Sequence, residues 1–417
     1  DSPAVTTAST VDTGVGVTSD PCPEVIGGIP TGADPSKGCI YLGLLNDYTG
    51  PFGPYGIPLE TGQRGFWLWA NQTGGVGDYS VAIVEGYDTQ YNPQKHLEGY
   101  KAQRGEVAAL AMSLGTPQTQ FILDDMDADN MIAAPMSWYS GWSYKGSDRG
   151  LVVEFGAAYC ADGMNALDWA MANLPVDIKT VGVMGYAGDY GGDYAAGVTA
   201  AAEANGITVA WEYIVPSSEF DVAQAVGLMV TKPVDAYFPA IGPTFMAQVA
   251  GGAFQQGLTP IAMMAAPSYN DAFTAEGFAL APLFQSGSMY LMAFVAPYEA
   301  QTPGHAAMRA TLQAMGVDSG NLFLTAGWAS QHHLKGVLEA AVKGGDLTRA
   351  GIRRAAANVS VSSDGMMPTR ELGQDRADAE SFIGIPDESQ TSGIRLLSGN
   401  YVGPTAAGYD WEAGPCS

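Results

Sequence analysis

The chain has 417 residues, more than one hydrophobic core comfortably holds, so two lobes or domains are expected. Charged residues make up 15% of it, against about 25% in ordinary globular chains, and 43 acidic residues against 18 basic ones give a net charge of −25. This shortage of cations excludes a phosphate-neutralising surface for nucleic acid and works against anionic lipid head groups. No run of about 18 or more apolar residues is present to span a membrane, and small molecules or other proteins remain as partners.

Residues 1–37 are expected as a flexible arm. The first twenty are small and polar, and lack the large apolar residues that folding needs. Their composition is similar to the tether behind the lipidated cysteine of a bacterial lipoprotein, and equally to an ordinary disordered terminus. From residue 39 onward, short β-rich runs alternate with helical patterns, the order of βαβ units and parallel sheets. Strands are expected at 40–45, 81–85, 107–114 and 131–135. Helices are expected at 59–72, 93–104 and 118–125, the first of them after a loop rich in Gly, Pro and Tyr. The pattern then restarts with a strand at 151–155, a helix at 164–172, a strand at 180–184 and an Ala-rich helix at 194–205 stopped by Gly206. Strands at 207–215, 236–240, 261–265 and 288–294 follow, with helices from Asp221 and over 244–256. Helices at 305–315, 324–342 and 348–358 precede a loop-rich tail with short strands near 382–385 and 394–401. The fold class is therefore α/β, with two Rossmann-like lobes built on parallel central sheets. Ligands favour the crevice outside the carboxyl ends of such strands.

The four cysteines, Cys22, Cys39, Cys160 and Cys416, form no C-x-x-C pair and have no histidines at zinc-ligand spacing. An even, scattered set suits two disulfides in an oxidising compartment; four buried thiols are the alternative. Three connectivities stay open, Cys22 with Cys39 being the pairing that ties down the arm.

Signals for an enzyme are absent. There is no phosphate loop, and the Gly-rich stretch 185–192 lacks dinucleotide-binding spacing. Ser143 misses the nucleophile-elbow pattern. His332 and His333, adjacent on an expected helix, point about 100° apart and do not chelate one metal. Asp125, Asp127 and Asp129 imitate the opening of a calcium loop, but Asn130 and Met136 stand where its Gly and bidentate Glu belong. No metal and no cofactor are expected.

An ordered series of short motifs carries a resemblance. Ile40-Tyr-Leu-Gly-Leu-Leu leads into Tyr48-Thr-Gly-Pro-Phe-Gly-Pro-Tyr-Gly56, followed by Glu60-Thr-Gly62, Asn71-Gln-Thr-Gly-Gly75, Val84-Glu-Gly-Tyr-Asp88 and Asn92-Pro93. In combination this resembles the leucine/isoleucine/valine-binding protein family, the type I periplasmic binding fold, with weaker similarity continuing to about residue 365. The resemblance implies two lobes joined by three crossover segments that close over a ligand by a hinge motion. The lobes would comprise residues 38–155 with 290–365, and residues 156–289 with 366–417.

Carried over by position, the resemblance places Tyr55, Thr116, Pro117, Gln118, Met136, Ser137 and Trp138 of the first lobe at the ligand. From the second lobe it places Tyr190, Ile241, Gly242, Pro267 and Ser268 there, with Trp328 at the base of the cleft. Thr116 and Gln118 open a helix, whose free N–H groups suit a carboxylate. Amino-acid binders of this family hold the ligand ammonium with an acidic side chain after a late strand of the second lobe; here that loop reads Ala265-Ala-Pro-Ser-Tyr-Asn270. A buried ammonium without a carboxylate is costly, so an apolar acid, aromatic or steroid-like, is expected ahead of a branched-chain amino acid. The cysteines and the tether-like start favour the cell exterior and a lipid anchor, and the resemblance implies a monomeric solute-binding protein. It would serve an ABC permease and catalyse nothing; the alternatives are a branched-chain amino acid or amide binding protein for ABC import, a ligand-sensing receptor domain, and an enzyme on the same scaffold.

Overall fold

The structure, a computed structural model, describes residues 11–188 and 190–417; residues 1–10, where the tether-like composition begins, and Asp189 lie outside the described residues. Strand Gly38–Asn46 is buried along almost its whole length, as a continuous apolar run should be when both faces of a parallel sheet are covered. It pairs in parallel with Tyr79–Ile83 on one side and Ala109–Leu114 on the other, and Ala109–Leu114 pairs in parallel with Ala133–Met136. Helices Gly53–Gln72 and Leu322–Lys343 pack together in this lobe at very short range. A Cβ on Gly62 would meet the Leu324 carbonyl oxygen at 2.1 Å, and one on Gly327 would meet that of Leu59 at 2.2 Å. Only glycine permits such backbone contact.

The second sheet runs Thr208–Val215, Thr180–Tyr186, Ala236–Ala240, Ile261–Met264 and Met289–Ala293, all parallel. Ser381–Pro386 and Ile394–Tyr401 then extend it as antiparallel strands. Glycines again set the packing of its first two helices, Tyr159–Asn173 and Tyr190–Asn205: a Cβ on Gly197 would lie 1.9 Å from the Cys160 carbonyl oxygen.

Several expectations need correcting. Residues 11–37 are not a free arm: Asp12–Thr13 pairs with Asp346–Leu347, Val17–Thr18 with Cys39–Ile40, and Val25–Ile26 forms a hairpin with Ile29–Pro30. Disulfide Cys22–Cys39 pins the segment, so edge hydrogen bonds and a covalent tie replace the apolar core that its composition cannot supply. The second disulfide is Cys160–Cys416. The expected strand at 151–155 reduces to one bridge, Ala133 with Val152, because the chain leaves the sheet there to cross between lobes. Strand Met289–Ala293 lies wholly in the second sheet, and hairpin strand Arg370–Leu372 pairs with Val359–Val361 beside the first lobe's long helix.

Three crossover segments connect the lobes, around residues 153–158, 294–298 and 373–380. Arg370, whose side chain is 6% exposed, is ion-paired with Glu154 of the first segment and Asp378 of the third. Nδ1 of His333 lies 2.8 Å from the Glu154 carbonyl oxygen, which makes that nitrogen the donor. Burial lowers the His333 pKa to about 4, so the ring is neutral.

Candidate ligand-binding cleft

After strand Gly38–Asn46 the chain turns tightly, and the Asp47 carboxylate holds the turn by accepting from the backbone N–H groups of Gly50 at 2.6 Å and Phe52 at 2.9 Å. That turn delivers Phe52 and Tyr55 to the gap between the lobes. The Tyr55 ring stacks on Phe323, with centroids 3.7 Å apart and planes 11° from parallel. Its hydroxyl crosses the gap and donates to the Tyr269 carbonyl oxygen at 2.8 Å, a hydrogen bond between lobes. Burial raises its pKa well above the usual phenol value, so it stays protonated.

Trp138, just past strand Ala133–Met136, stacks on Phe294 of the second crossover at 3.4 Å between centroids. Opposite it, the second lobe contributes Tyr159 and Tyr190, whose rings are 5.3 Å apart. Phe52, Tyr55, Tyr91, Trp138, Tyr159, Tyr190 and Phe323 together with Leu59, Leu114, Met136 and Pro267 line one narrow cavity that is open at its mouth. No charged side chain is among these described lining residues. The indole Nε1–H of Trp138 is buried and has no acceptor in the described structure. A buried donor left in this state loses its water without compensation.

Of the residues expected at the ligand, the structure brings Tyr55, Met136, Trp138, Tyr190 and Pro267 together around this cavity. Thr116 and Ser137 sit behind it, their hydroxyl oxygens 2.6 Å apart, and Ser137 also accepts from Trp142 Nε1. Pro117 is half-buried in the same short helix, Thr116–Phe121. Gln118 donates through Nε2 to the Tyr91 carbonyl oxygen at 2.7 Å and so fixes a lining residue. In the second lobe, Ser268 accepts from the Ile241 N–H at 3.0 Å, and Gly242 N–H donates to the Tyr186 hydroxyl at 2.8 Å. Ser268, which also donates to the Pro239 carbonyl oxygen at 3.1 Å, ties the loop that carries Pro267 to the strand end before Ile241. Trp328 is fully buried against Phe66 and Trp69 inside the first lobe and does not line the cavity. It sits five residues beyond Phe323, about 7.5 Å further along the helix axis. The first turn of that helix, not its second, meets the cleft.

Phe52, Leu59, Tyr91, Leu114, Tyr159 and Phe323 were not singled out from sequence. Tyr91 carries the clearest overlooked signal: an aromatic residue in a turn immediately before the helix cap Asn92, with φ of 51°. A bulky side chain in that backbone region is uncommon and marks a constrained loop.

Two lobes on parallel sheets, joined by three crossovers with an aromatic cleft between them, make up the architecture of a two-lobed binding protein. Residues 39–381 match the periplasmic binding protein family, and the chain belongs to it. A fatty acid ABC transporter substrate-binding protein from Thermomonospora curvata superposes with a TM-score of 0.84 at 24% identity, over 97% of this chain and 98% of that one. A branched chain amino acid ABC transporter structure from Thermus thermophilus with bound valine gives 0.72 at 14% identity, over 88% and 98%. A solute-binding protein from R. palustris in complex with 4-hydroxybenzoate gives 0.70 at 14% identity, also over 88% and 98%. At these identities the likeness establishes the fold. No curated protein sequence matches the chain.

Proposed function

We propose that the protein captures an apolar small molecule bearing a carboxylate, aromatic or steroid-like in shape, and presents it unchanged to an ABC importer. The observation that carries this reading is the cavity wall: seven aromatic rings and four apolar side chains, with the buried Trp138 N–H as a donor in want of an oxygen. Such a lining gains free energy from burying apolar ligand surface. The fatty acid and 4-hydroxybenzoate named for two of the similar structures are acids with apolar bodies, which supports the same class.

The protein would act outside the cytoplasm, where two disulfides persist, as a monomer held near its permease by a lipid anchor. Binding and release involve no covalent step. Thermal-shift screening tests the ligand class directly, with fatty acids, aromatic acids and steroid acids set against leucine and valine. Stabilisation by apolar acids is expected; stabilisation by leucine or valine alone overturns the assignment.

A further inference from the structure

Three aromatic residues that line the cavity, Trp138 from the first lobe and Tyr159 and Tyr190 from the second, share a feature that composition does not require. Each lies within three residues of a member of one buried cluster. Ser140 follows Trp138 by two residues, Cys160 follows Tyr159 by one, and Asp193 follows Tyr190 by three, just under one helical turn. Asp193 is 1% exposed, and its carboxylate is the hub. It accepts from the Ser140 N–H at 2.9 Å, the Ser140 hydroxyl at 2.6 Å and the Cys160 N–H at 3.2 Å. Ser140 belongs to the first lobe, and Cys160 and Asp193 to the second.

The segment 411–417 closes the cluster. Cys416 is disulfide-bonded to Cys160, its N–H donates to the Ser140 hydroxyl at 3.1 Å, and the Ser417 hydroxyl donates to Asp193 at 3.0 Å. On the first-lobe side, the Tyr139 hydroxyl donates to the Ser417 carbonyl oxygen at 2.9 Å and the Tyr144 hydroxyl to that of Trp411 at 2.5 Å. A segment covalently fixed to one lobe thus hydrogen-bonds to the other at three points.

We infer that residues 411–417 form a clasp, anchored by Cys160–Cys416 and centred on Asp193, that holds the lobes closed and sets the positions of Trp138, Tyr159 and Tyr190. The disulfide keeps the segment at high effective concentration over residues 139–144, so the hydrogen bonds reform after each opening. A carboxylate this deeply buried is costly unless its partners stay in place. Opening would break both Ser140 hydrogen bonds to Asp193 together with those from Cys416 N–H to Ser140, Tyr139 to Ser417 and Tyr144 to Trp411, and these five contacts resist it. Asp193, Ser140 and Tyr139 are positioning residues here and do not touch ligand. The inference depends on the lobes being hinged, not on which molecule they carry.

The test compares hydrogen exchange in ligand-free wild type with the double variant Cys160→Ser/Cys416→Ser, leaving Cys22–Cys39 intact, and with the milder Tyr139→Phe. Small-angle scattering on the same samples reports lobe separation. Exchange of residues 138–144 is expected to rise about tenfold or more in the double variant. A smaller rise in Tyr139→Phe and a larger radius of gyration in the double variant should accompany it. Faster exchange confined to 409–417, with 138–144 and the radius unchanged in both variants, overturns the clasp while leaving the binding assignment standing. Tyr139→Phe removes one hydroxyl, so it stays informative if the double variant fails to fold.

Discussion

Removing the Arg370 guanidinium by Arg370→Met strands a carboxylate at the crossovers. Glu154 is 12% exposed and ion-paired with Arg370, whereas Asp378, at 39%, remains solvated. Breaking a buried pair from one side typically costs about 3–5 kcal/mol, because the surviving charge stays desolvated; the partly exposed Asp378 contact adds about 1 kcal/mol or less. Arg370→Met should therefore lose about 3–5 kcal/mol. The double variant Arg370→Met/Glu154→Gln, which buries no charge, should recover about 2 kcal/mol or more of that loss. Urea unfolding of wild type, both single variants and the double variant measures the coupling, with fluorescence and circular dichroism run together to check for a single transition. If the two single losses simply add in the double variant, Arg370 and Glu154 act independently and the crossovers are not joined by this pair.

Other substitutions test neighbouring claims. Burial lowers the His332 pKa from 6.5 to about 3, so the ring is neutral in the fold, while the unfolded chain takes up a proton below about 6.5. Stability from this site is thus complete above that pH and lost as pH falls. At pH 5 the loss is about 2 kcal/mol, and His332→Phe, kept against Phe66 and Trp69, should gain that much over wild type at pH 5 and little at pH 7.5 by denaturant titration. Gly156 has φ of 73°, and a Cβ there would lie 3.0 Å from the Phe294 carbonyl oxygen and 3.1 Å from Trp138 Nε1. Gly156→Ala should weaken binding of the best acid in the thermal-shift panel about tenfold, since left-handed strain of about 1 kcal/mol falls on the closed hinge along with the contact; calorimetry reads it. Leu114→Trp fills the cavity from a strand end and should abolish ligand stabilisation while shifting the ligand-free melting temperature by no more than a few degrees.

Much of the fold is legible in the sequence because its strongest signals are local. The run at 236–240 is a strand with those bounds, and the Ala-rich segment ahead of Gly206 is a helix that begins four residues earlier than its periodicity shows. The missed elements depend on partners far away in the chain. Val17–Thr18 is a strand only because Cys39–Ile40 offers an edge, and residues 151–155, although apolar, leave the sheet to cross between lobes. The cleft divides in the same way. Tyr55, Met136, Trp138 and Tyr190 follow strand ends or open helices, positions that a sequence can mark. Tyr159 and Phe323 also open helices, but the periodicity places those helix starts at 164 and 324, past both residues. Trp328 has the size of a cavity residue, but five residues of helical rise carry it into the core, beyond what side-chain type can reveal.

Native mass spectrometry of the protein as purified addresses the central claim most directly. The aromatic cleft predicts a retained small acid whose mass stays constant on incubation, which leaves on denaturation and is displaced by the apolar acids of the panel. A bare protein that takes up none of them, or a bound molecule recovered in chemically altered form, contradicts it.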